Sequence, residues 1–224
     1  MFSKEWDDCY SRDEQLSTWP WSDLVSLVSR YYGSDIKTKK KIKILELGCG
    51  AGANIPFFMN PVFDYYGIDG SRTIVEVLQI KYPQLISKIV AKDFTEGIKI
   101  FGGGFDLVVD RAAITHNDLT SILKTLESIK EVLNPHGHFI GIDWFSTKHS
   151  DYTKGFSGGD EYTRTQIESG QFFGVGKVHF SDENHLLDLF SKFTVVYMAE
   201  KEITQTIPHL AHKFSSWNIV AKNT

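Results

Sequence analysis

Ile42-Lys43-Ile44-Leu45-Glu46-Leu47-Gly48-Cys49-Gly50-Ala51-Gly52-Ala53-Asn54 carries an apolar strand straight into a glycine-rich turn and a helix start. Glycine has no Cβ, so backbone N–H groups and the helix N-terminus can approach a ligand closely at such a turn. The spacing selects the ligand. A dinucleotide site places its glycines G-x-G-x-x-G around a pyrophosphate, whereas here they stand G-x-G-x-G. Glu46 also lies two positions ahead of the first glycine. A carboxylate there repels a pyrophosphate but suits a cationic, amine-bearing ligand. The competing reading is a turn that needs glycine for packing alone, and the segments on either side weigh against it.

Downstream, strand and helix signals alternate. Tyr65–Asp69 is a short apolar strand ending on an acid, and Ser71 caps a helix whose inner face holds Ile74, Val75 and Leu78. A third strand is expected at Ile86–Ala91, followed by Asp93-Phe94, and a fourth at Phe105–Asp110. Asn117 or Asp118 opens the clearest helix, with Leu119, Ile122, Leu123, Leu126, Ile129, Val132 and Leu133 at three- and four-residue spacing. His138–Trp144 is the fifth strand. Alternation of this kind implies βαβ units, a parallel sheet and ligands at the carboxyl ends of the strands.

Upstream, Ser17-Thr18-Trp19-Pro20-Trp21-Ser22 starts a helix in an N-terminal helical extension (1–41) that precedes the core (42–144). From 145 to 180 the alternation stops, and Gly, Ser, Thr, Asp and His are interspersed with Phe156, Tyr162, Phe172, Phe173 and Phe180. Insertions of that length are functional lids or disordered, and the aromatics argue for a lid. Residues 181–224 supply another helix and an antiparallel pair, Thr194–Glu202 and Trp217–Ala221. The whole reads as a single domain.

Three further motifs join the glycine turn. Tyr66-Gly67-Ile68-Asp69-Gly70-Ser71 puts an acid where two ribose hydroxyls can be accepted. Asp93-Phe94 follows the third strand, and Phe105-Asp106-Leu107-Val108-Val109-Asp110-Arg111 forms the fourth. In order and spacing these resemble the motifs of class I S-adenosylmethionine-dependent methyltransferases over roughly residues 42–145. His136 stands where the family's L-x-P-G-G turn has glycine. The resemblance implies a Rossmann-like, doubly wound α/β fold with a seven-stranded mixed sheet and S-adenosylmethionine as cofactor, S-adenosylhomocysteine being the product. It draws the cofactor site from Glu46, Gly48, Cys49, Gly50, Gly52 and Asn54, then Asp69, Gly70 and Ser71, then Asp93 and Phe94, and finally Asp110 and Arg111. Helix capping by Asp69, a surface turn at Asp93 and simple pairing of Asp110 with Arg111 are the bland alternatives.

Transfer of a methyl group to a hydroxyl or amine benefits from a general base. His116, Asp143, His149 and His179 are the candidates for it, His116, Asp143 and His179 foremost; each histidine also has a structural reading. Trp6, Tyr10, Trp19 and Trp21 either wall the site or pack the extension onto the sheet. Lys154 and Arg164 are cations that an anionic acceptor would meet.

A net charge of −4 and only one short basic run, Lys37–Lys41, argue against nucleic acid. No apolar segment reaches membrane-spanning length and the N-terminus lacks a signal-peptide core, so a cytoplasmic protein is expected. The two cysteines, Cys9 and Cys49, have no pairing pattern, and no H-x-x-x-H or C-x-x-C spacing occurs, so no metal is expected. The expected partner is a small-molecule acceptor, a saccharide or another metabolite; the long polar insertion and Trp19-Pro20-Trp21 resemble bacterial small-molecule members of the family. A non-catalytic S-adenosylmethionine-binding module and a nicotinamide-dependent oxidoreductase are the alternatives. Oligomeric state is not encoded in any motif.

Overall fold

The computed structural model describes residues 5–6 and 17–224; Tyr10 and Cys9 lie outside them. Among the described residues no helix is long and apolar enough to cross a membrane. Helix α1 (Ser22–Thr38) is followed by β1 (Ile42–Leu47), α2 (Ile55–Phe58), β2 (Phe63–Asp69), α3 (Arg72–Lys81), β3 (Ile89–Ala91) and β4 (Phe105–Arg111). Then come α4 (Leu119–Val132), β5 (Leu133–Phe145), the short strands β6 (Phe156–Ser157), β7 (Thr163–Thr165) and β8 (Val178–His179), α5 (Glu183–Leu189), β9 (Thr194–Thr204) and β10 (Lys213–Lys222).

The main sheet has seven strands in the order β3-β2-β1-β4-β5-β10-β9. The first five run parallel, while β10 is antiparallel to both β5 and β9. β1 is central and its residues are buried on both faces, which is why Ile42-Lys43-Ile44-Leu45-Glu46-Leu47 reads as nearly continuous apolar sequence. Two apolar layers cover the sheet. On one face Leu24, Leu27 and Val28 of α1 join Ile74's neighbour Val75 and Leu78 of α3 against Ile42 and Ile44. On the other, Ile122, Leu126 and Ile129 of α4 and Leu186 and Leu189 of α5 pack on Leu45, Leu47 and Phe139. Leu123, expected on the inner face of α4, is instead exposed, because the apolar stripe is centred on the 122/126/129 row.

Helix starts follow their sequence signals. Ser71 Oγ accepts from Ile74 N (3.2 Å), Asp118 from Ser121 N (2.9 Å) and Asp182 from His185 N (2.8 Å), each satisfying an orphan donor worth about 1 kcal/mol. Strand ends differ more. β3 begins only at Ile89, since Pro83–Leu85 forms a 3₁₀ turn, and β5 begins five residues early, at Leu133, next to a register shift against β4. His136 takes φ +67° and sits where β5 leaves α4, at the opposite end of the strand from Phe145.

The insertion is folded. β6, β7 and β8 form a three-stranded antiparallel sheet, and Phe172, Val175, Val178 and Phe180 close over Phe145 and Ala112 as a third apolar cluster. Burying a phenylalanine of this kind contributes about 2–3 kcal/mol, so Phe172 and Phe180 hold the stretch on the carboxyl ends of β4 and β5, whereas Phe156 and Phe173 are exposed.

Candidate active site

The glycine turn after β1 is a contact point between two loops. Gly48 has φ +65°, and a Cβ there would overlap the Cβ of Ala113 in the turn after β4. Gly48 N and Cys49 N donate to Ile68 O (2.8 and 3.2 Å), and Gly50 N donates to Asp69 Oδ2 (2.8 Å). The turn is thus bound to the end of β2. Gly52, at φ +77°, lies against Leu78 and Ile55; its role in the structure is to let α2 and α3 close up, and it does not line the cleft below.

A cleft of about 210 Å³ opens at the carboxyl ends of the strands. Over β1, β2 and β3 it is lined by Glu46, Gly48, Cys49, Gly50, Asn54, Asp69, Gly70, Asp93 and Phe94. Over β4, β5 and the insertion it is lined by Arg111, His116, Asn117, Phe145, Gln171, Phe172 and Val175, with Trp6 and Trp21 contributed by the N-terminal extension. Trp19 does not reach the cleft and is 77% exposed.

Three carboxylates stand at or just beyond the carboxyl ends of the first three strands. Glu46 is buried, and its two oxygens accept from Asn54 Nδ2 and Tyr65 OH (both 2.7 Å). Burial outweighs those bonds and raises its pKa to about 7. Asn54 in turn accepts from Trp21 N (3.2 Å), which ties the start of α1 to Glu46. Asp69 accepts from Gly50 N and, through Oδ1, from Ser71 N (2.9 Å). Asp93 accepts from Thr95 N (2.9 Å) and Thr95 Oγ1 (2.7 Å) through one oxygen, which fixes the turn carrying Phe94. A carboxylate has about four acceptor sites, and each of these acids is held by backbone or side-chain donors. Ser71 is fully buried as the cap of α3 and does not line the cleft.

Three other expected site residues are placed elsewhere. Asp110 is wholly buried: Oδ1 accepts from Ala113 N (2.9 Å) and Ile114 N (3.0 Å), and Oδ2 from Trp144 Nε1 (2.8 Å). It shapes the turn that carries His116 and does not face the cleft. Asp110→Ala would strand the buried donors Ile114 N and Trp144 Nε1, each costing about 1–3 kcal/mol, and the half-buried Ala113 N. A loss of about 3 kcal/mol or more is expected in urea unfolding, and a loss below about 1 kcal/mol would contradict this account.

Asp143 lies behind Arg111. Its oxygens meet Arg111 Nε and Nη2 (3.1 and 3.0 Å), Lys201 Nζ (2.6 Å) and Ser216 Oγ (3.0 Å), beside a second cleft shared with Asp23. With two cations on it and none of it in the main cleft, Asp143 is not placed to take a proton from an acceptor there. It holds Arg111, whose guanidinium also lies 3.8 Å from the centre of the Trp21 ring. His179 is likewise enclosed, between Thr163 Oγ1 (2.9 Å) and His185 Nε2 (2.9 Å), and burial holds its pKa down at about 4. Arg164 is spent on Tyr152 O, Glu161 O and Thr163 O, and Lys154 on Asp151 (2.6 Å); neither lines the cleft.

His116 does face it. Nδ1 lies 3.2 Å from Lys177 O, so the ring proton sits there and Nε2 carries the lone pair. Trp6 packs edge-on at 4.9 Å and Phe145 at 5.6 Å. Burial among these rings lowers its pKa to about 4, leaving it neutral at physiological pH. Gln171, Asn117, Phe172 and Val175 are lining residues that no motif announced. They come from the insertion and from the turn after β4, and only the aromatic content of the insertion hinted at them.

Residues 44–137 match the family model described as a methyltransferase domain. No curated protein sequence matches the chain. Among solved structures, an S-adenosylmethionine-dependent methyltransferase from Methanosarcina mazei superposes with a TM-score of 0.63 at 19% identity, covering 82% of this chain and 92% of that one. TehB from Haemophilus influenzae gives 0.63 at 15% identity, covering 97% and 67%. The N-methyltransferase NodS from Bradyrhizobium japonicum, solved with S-adenosylhomocysteine, gives 0.56 at 17% identity, covering 87% and 86%. At these identities the likeness is one of fold.

Proposed function

We propose that the chain is a class I S-adenosylmethionine-dependent methyltransferase that methylates a hydroxyl or amine of a small-molecule acceptor, a saccharide or similar metabolite, with His116 as the proton acceptor. The observation that carries this reading is the continuity of the cleft. One cavity joins the row of carboxylates after β1–β3 to a wall of His116, Phe145, Gln171 and Phe172. The cofactor supplies an activated methyl group on a sulfonium when bound. The acids fit its parts: Glu46 for the ammonium end, Asp69 for the ribose hydroxyls, and Asp93 with the backbone at Phe94 for the adenine edge. Gly48, Gly50 and Gly70 let main chain approach it, with Cys49 between the first two.

The remaining work belongs to the acceptor side. Trp6, Phe145 and Phe172 exclude water and give flat apolar faces, while Gln171 and Asn117 offer amides for orienting hydroxyls. His116 Nε2 is a weak base, which suits this chemistry. A hydroxyl or amine becomes strongly acidic only as the new bond to carbon forms, so the proton needs a neutral acceptor late in the step. A compact cleft and the absence of a basic surface in the sequence favour a small acceptor.

To test this, the protein would be titrated calorimetrically with S-adenosylmethionine, S-adenosylhomocysteine and NADH. It would then be incubated with S-adenosylmethionine and a panel of monosaccharides, phenols and amines while S-adenosylhomocysteine release is followed by mass spectrometry. Micromolar binding of the two sulfur nucleosides with acceptor-dependent release is expected. Binding without release on any acceptor would favour a non-catalytic module, and binding of NADH instead would overturn the reading.

Glu46 adds a pH signature. Its pKa of about 7 in the ligand-free protein means that it is protonated below that pH and ionised above it. An ammonium placed against it favours the ionised form and lowers the pKa, so below pH 7 binding must release a proton. Affinity for S-adenosylhomocysteine is expected to fall by up to about tenfold per pH unit as pH drops below 7 and to level off above it. Calorimetry from pH 5.5 to 8.5 reads this directly, and a flat profile in Glu46→Gln ties it to this residue. A flat profile in the unsubstituted protein would remove Glu46 from the ammonium site.

A further inference from the structure

Among the described residues that line the main cleft, Arg111 is the one cationic side chain. We propose that its free guanidinium edge anchors a carboxylate on the acceptor, so that the substrate is a hydroxy or amino monocarboxylic acid held by its acid group and methylated elsewhere. The inference rests on the methyltransferase reading and narrows it.

The cations and the histidine that the insertion could offer are engaged by the protein. Lys154 pairs with Asp151 (2.6 Å), and Arg164 donates to three carbonyls. His149 stands between Asp151 N, 3.0 Å from Nδ1, and Gln171 Oε1, 3.3 Å from Nε2. Arg111 is engaged on one edge only. Its Nε and Nη2 both meet Asp143 Oδ2 (3.1 and 3.0 Å), which uses two of the five N–H donors of a guanidinium. The edge formed by Nη1 and the second hydrogen of Nη2 is left. Its two parallel N–H bonds match the two oxygens of a carboxylate. Beside the second cleft the charges balance, Arg111 and Lys201 against Asp143 and Asp23. Of these four only Arg111 also lines the main cleft, so that cleft meets the positive end of the array.

The plane of the guanidinium is fixed as well. It lies 3.8 Å from the centre of the Trp21 ring, and Trp21 N is tied to Asn54 Oδ1 (3.2 Å). A fork held on two sides loses little freedom on binding. The Arg111 side chain is still 30% exposed, which leaves it open to a ligand.

Position and charge select the ligand. Arg111 ends β4, on the part of the cleft walled by His116 and Phe145. Burial first, and then the charge of Arg111, keep His116 unprotonated, so the anchor and the base act on one volume. The acid group of the acceptor would lie at the anchor and the reacting hydroxyl or amine at the base. Glu46, Asp69 and Asp93 line the rest of the cleft, so a monoanion is accommodated where a phosphate dianion would be repelled. The sulfonium of the bound cofactor attracts an anion too. The other source of a carboxylate is the cofactor itself, toward which the family motif counts Arg111, and the experiment separates the two.

The full chain is first saturated with S-adenosylhomocysteine; failure of that step would remove the methyltransferase reading and this inference with it. Calorimetry on the loaded protein then compares two matched pairs of probes, 4-hydroxybenzoate with 4-hydroxybenzamide and glucuronate with glucose. In at least one pair the acid is expected to bind about tenfold or more tightly than its neutral partner, as a charge-assisted bidentate contact allows. Arg111→Gln should abolish that advantage. Arg111→Lys keeps the charge without the fork and should retain about threefold. Lys99→Gln removes an exposed cation paired with Glu131 and should change nothing. Asp143 keeps Lys201 and Ser216 in the Arg111 variants, and circular dichroism checks folding. A second arm measures S-adenosylhomocysteine and its decarboxylated analogue on Arg111→Gln, and neither affinity should change. A loss confined to the carboxylate-bearing nucleoside would give Arg111 to the cofactor and overturn the proposal. Failure of both acids to bind, equal affinity within both pairs, or an acid preference that survives Arg111→Gln would each overturn it as well.

Discussion

Asp69→Ala is expected to weaken binding of both S-adenosylmethionine and S-adenosylhomocysteine by about 100-fold. A charged acceptor contributes about 1.5–3 kcal/mol per hydrogen bond, and a carboxylate spanning two ribose hydroxyls supplies two such bonds, moderated by the water each partner gives up. Asp69 is buried at the end of β2 yet borders the cleft, so its charge acts in a poorly screened setting. The same side chain holds Gly50 N and Ser71 N, so the alanine variant also loosens the glycine turn. Asp69→Asn removes less. Its carbonyl oxygen serves one of those two donors, which bind different carboxylate oxygens, while its NH2 faces the other and the charge is lost, and an intermediate loss of about tenfold is expected. Calorimetry measures the affinities, and the melting temperature without ligand reports the damage to the turn. A folded Asp69→Ala protein with unchanged affinity would move the ribose away from β2.

The parts of this molecule that could be read from sequence are those whose causes are local. β1 is continuous apolar sequence because it is buried on both faces, and its end coincides with the residue where glycine becomes obligatory. Ser71, Asp118 and Asp182 cap their helices because each stands three residues ahead of an orphan N–H. Glu46, Asp69 and Asp93 stand at or just past strand ends, and strand ends in a parallel sheet converge on one edge. What could not be read depends on partners distant in the chain. Asp110 looked like a ligand at a strand end, but Trp144, one strand over, turns it inward. Asp143 ends a strand too, yet Lys201 and Ser216 of the antiparallel pair surround it. His179 stood beside an aromatic in a polar stretch, and the sheet of the insertion folds it against His185.

Among the histidines only His116 combines a place on the cleft with a ring nitrogen turned away from its structural hydrogen bond. His116→Ala is accordingly expected to lower kcat by about 100-fold, at the lower end of what general-base catalysis contributes. The dissociation constants of S-adenosylmethionine and S-adenosylhomocysteine should stay within about twofold, because none of the carboxylates that face the cofactor touches this ring. The split matters more than the size of the loss. A purely structural histidine, packed between Trp6 and Phe145, would disturb the cleft as a whole and change cofactor affinity and melting temperature along with turnover. The pH profile gives a second reading. With its pKa held at about 4, His116 is already unprotonated throughout the neutral range. At saturating cofactor kcat should therefore be level from about pH 6 upward and decline only as pH falls toward 4. Transfer to the best acceptor in the panel, measured over that range, decides the point. Full activity in His116→Ala would mean that the acceptor loses its proton to water and that His116 only shapes the wall.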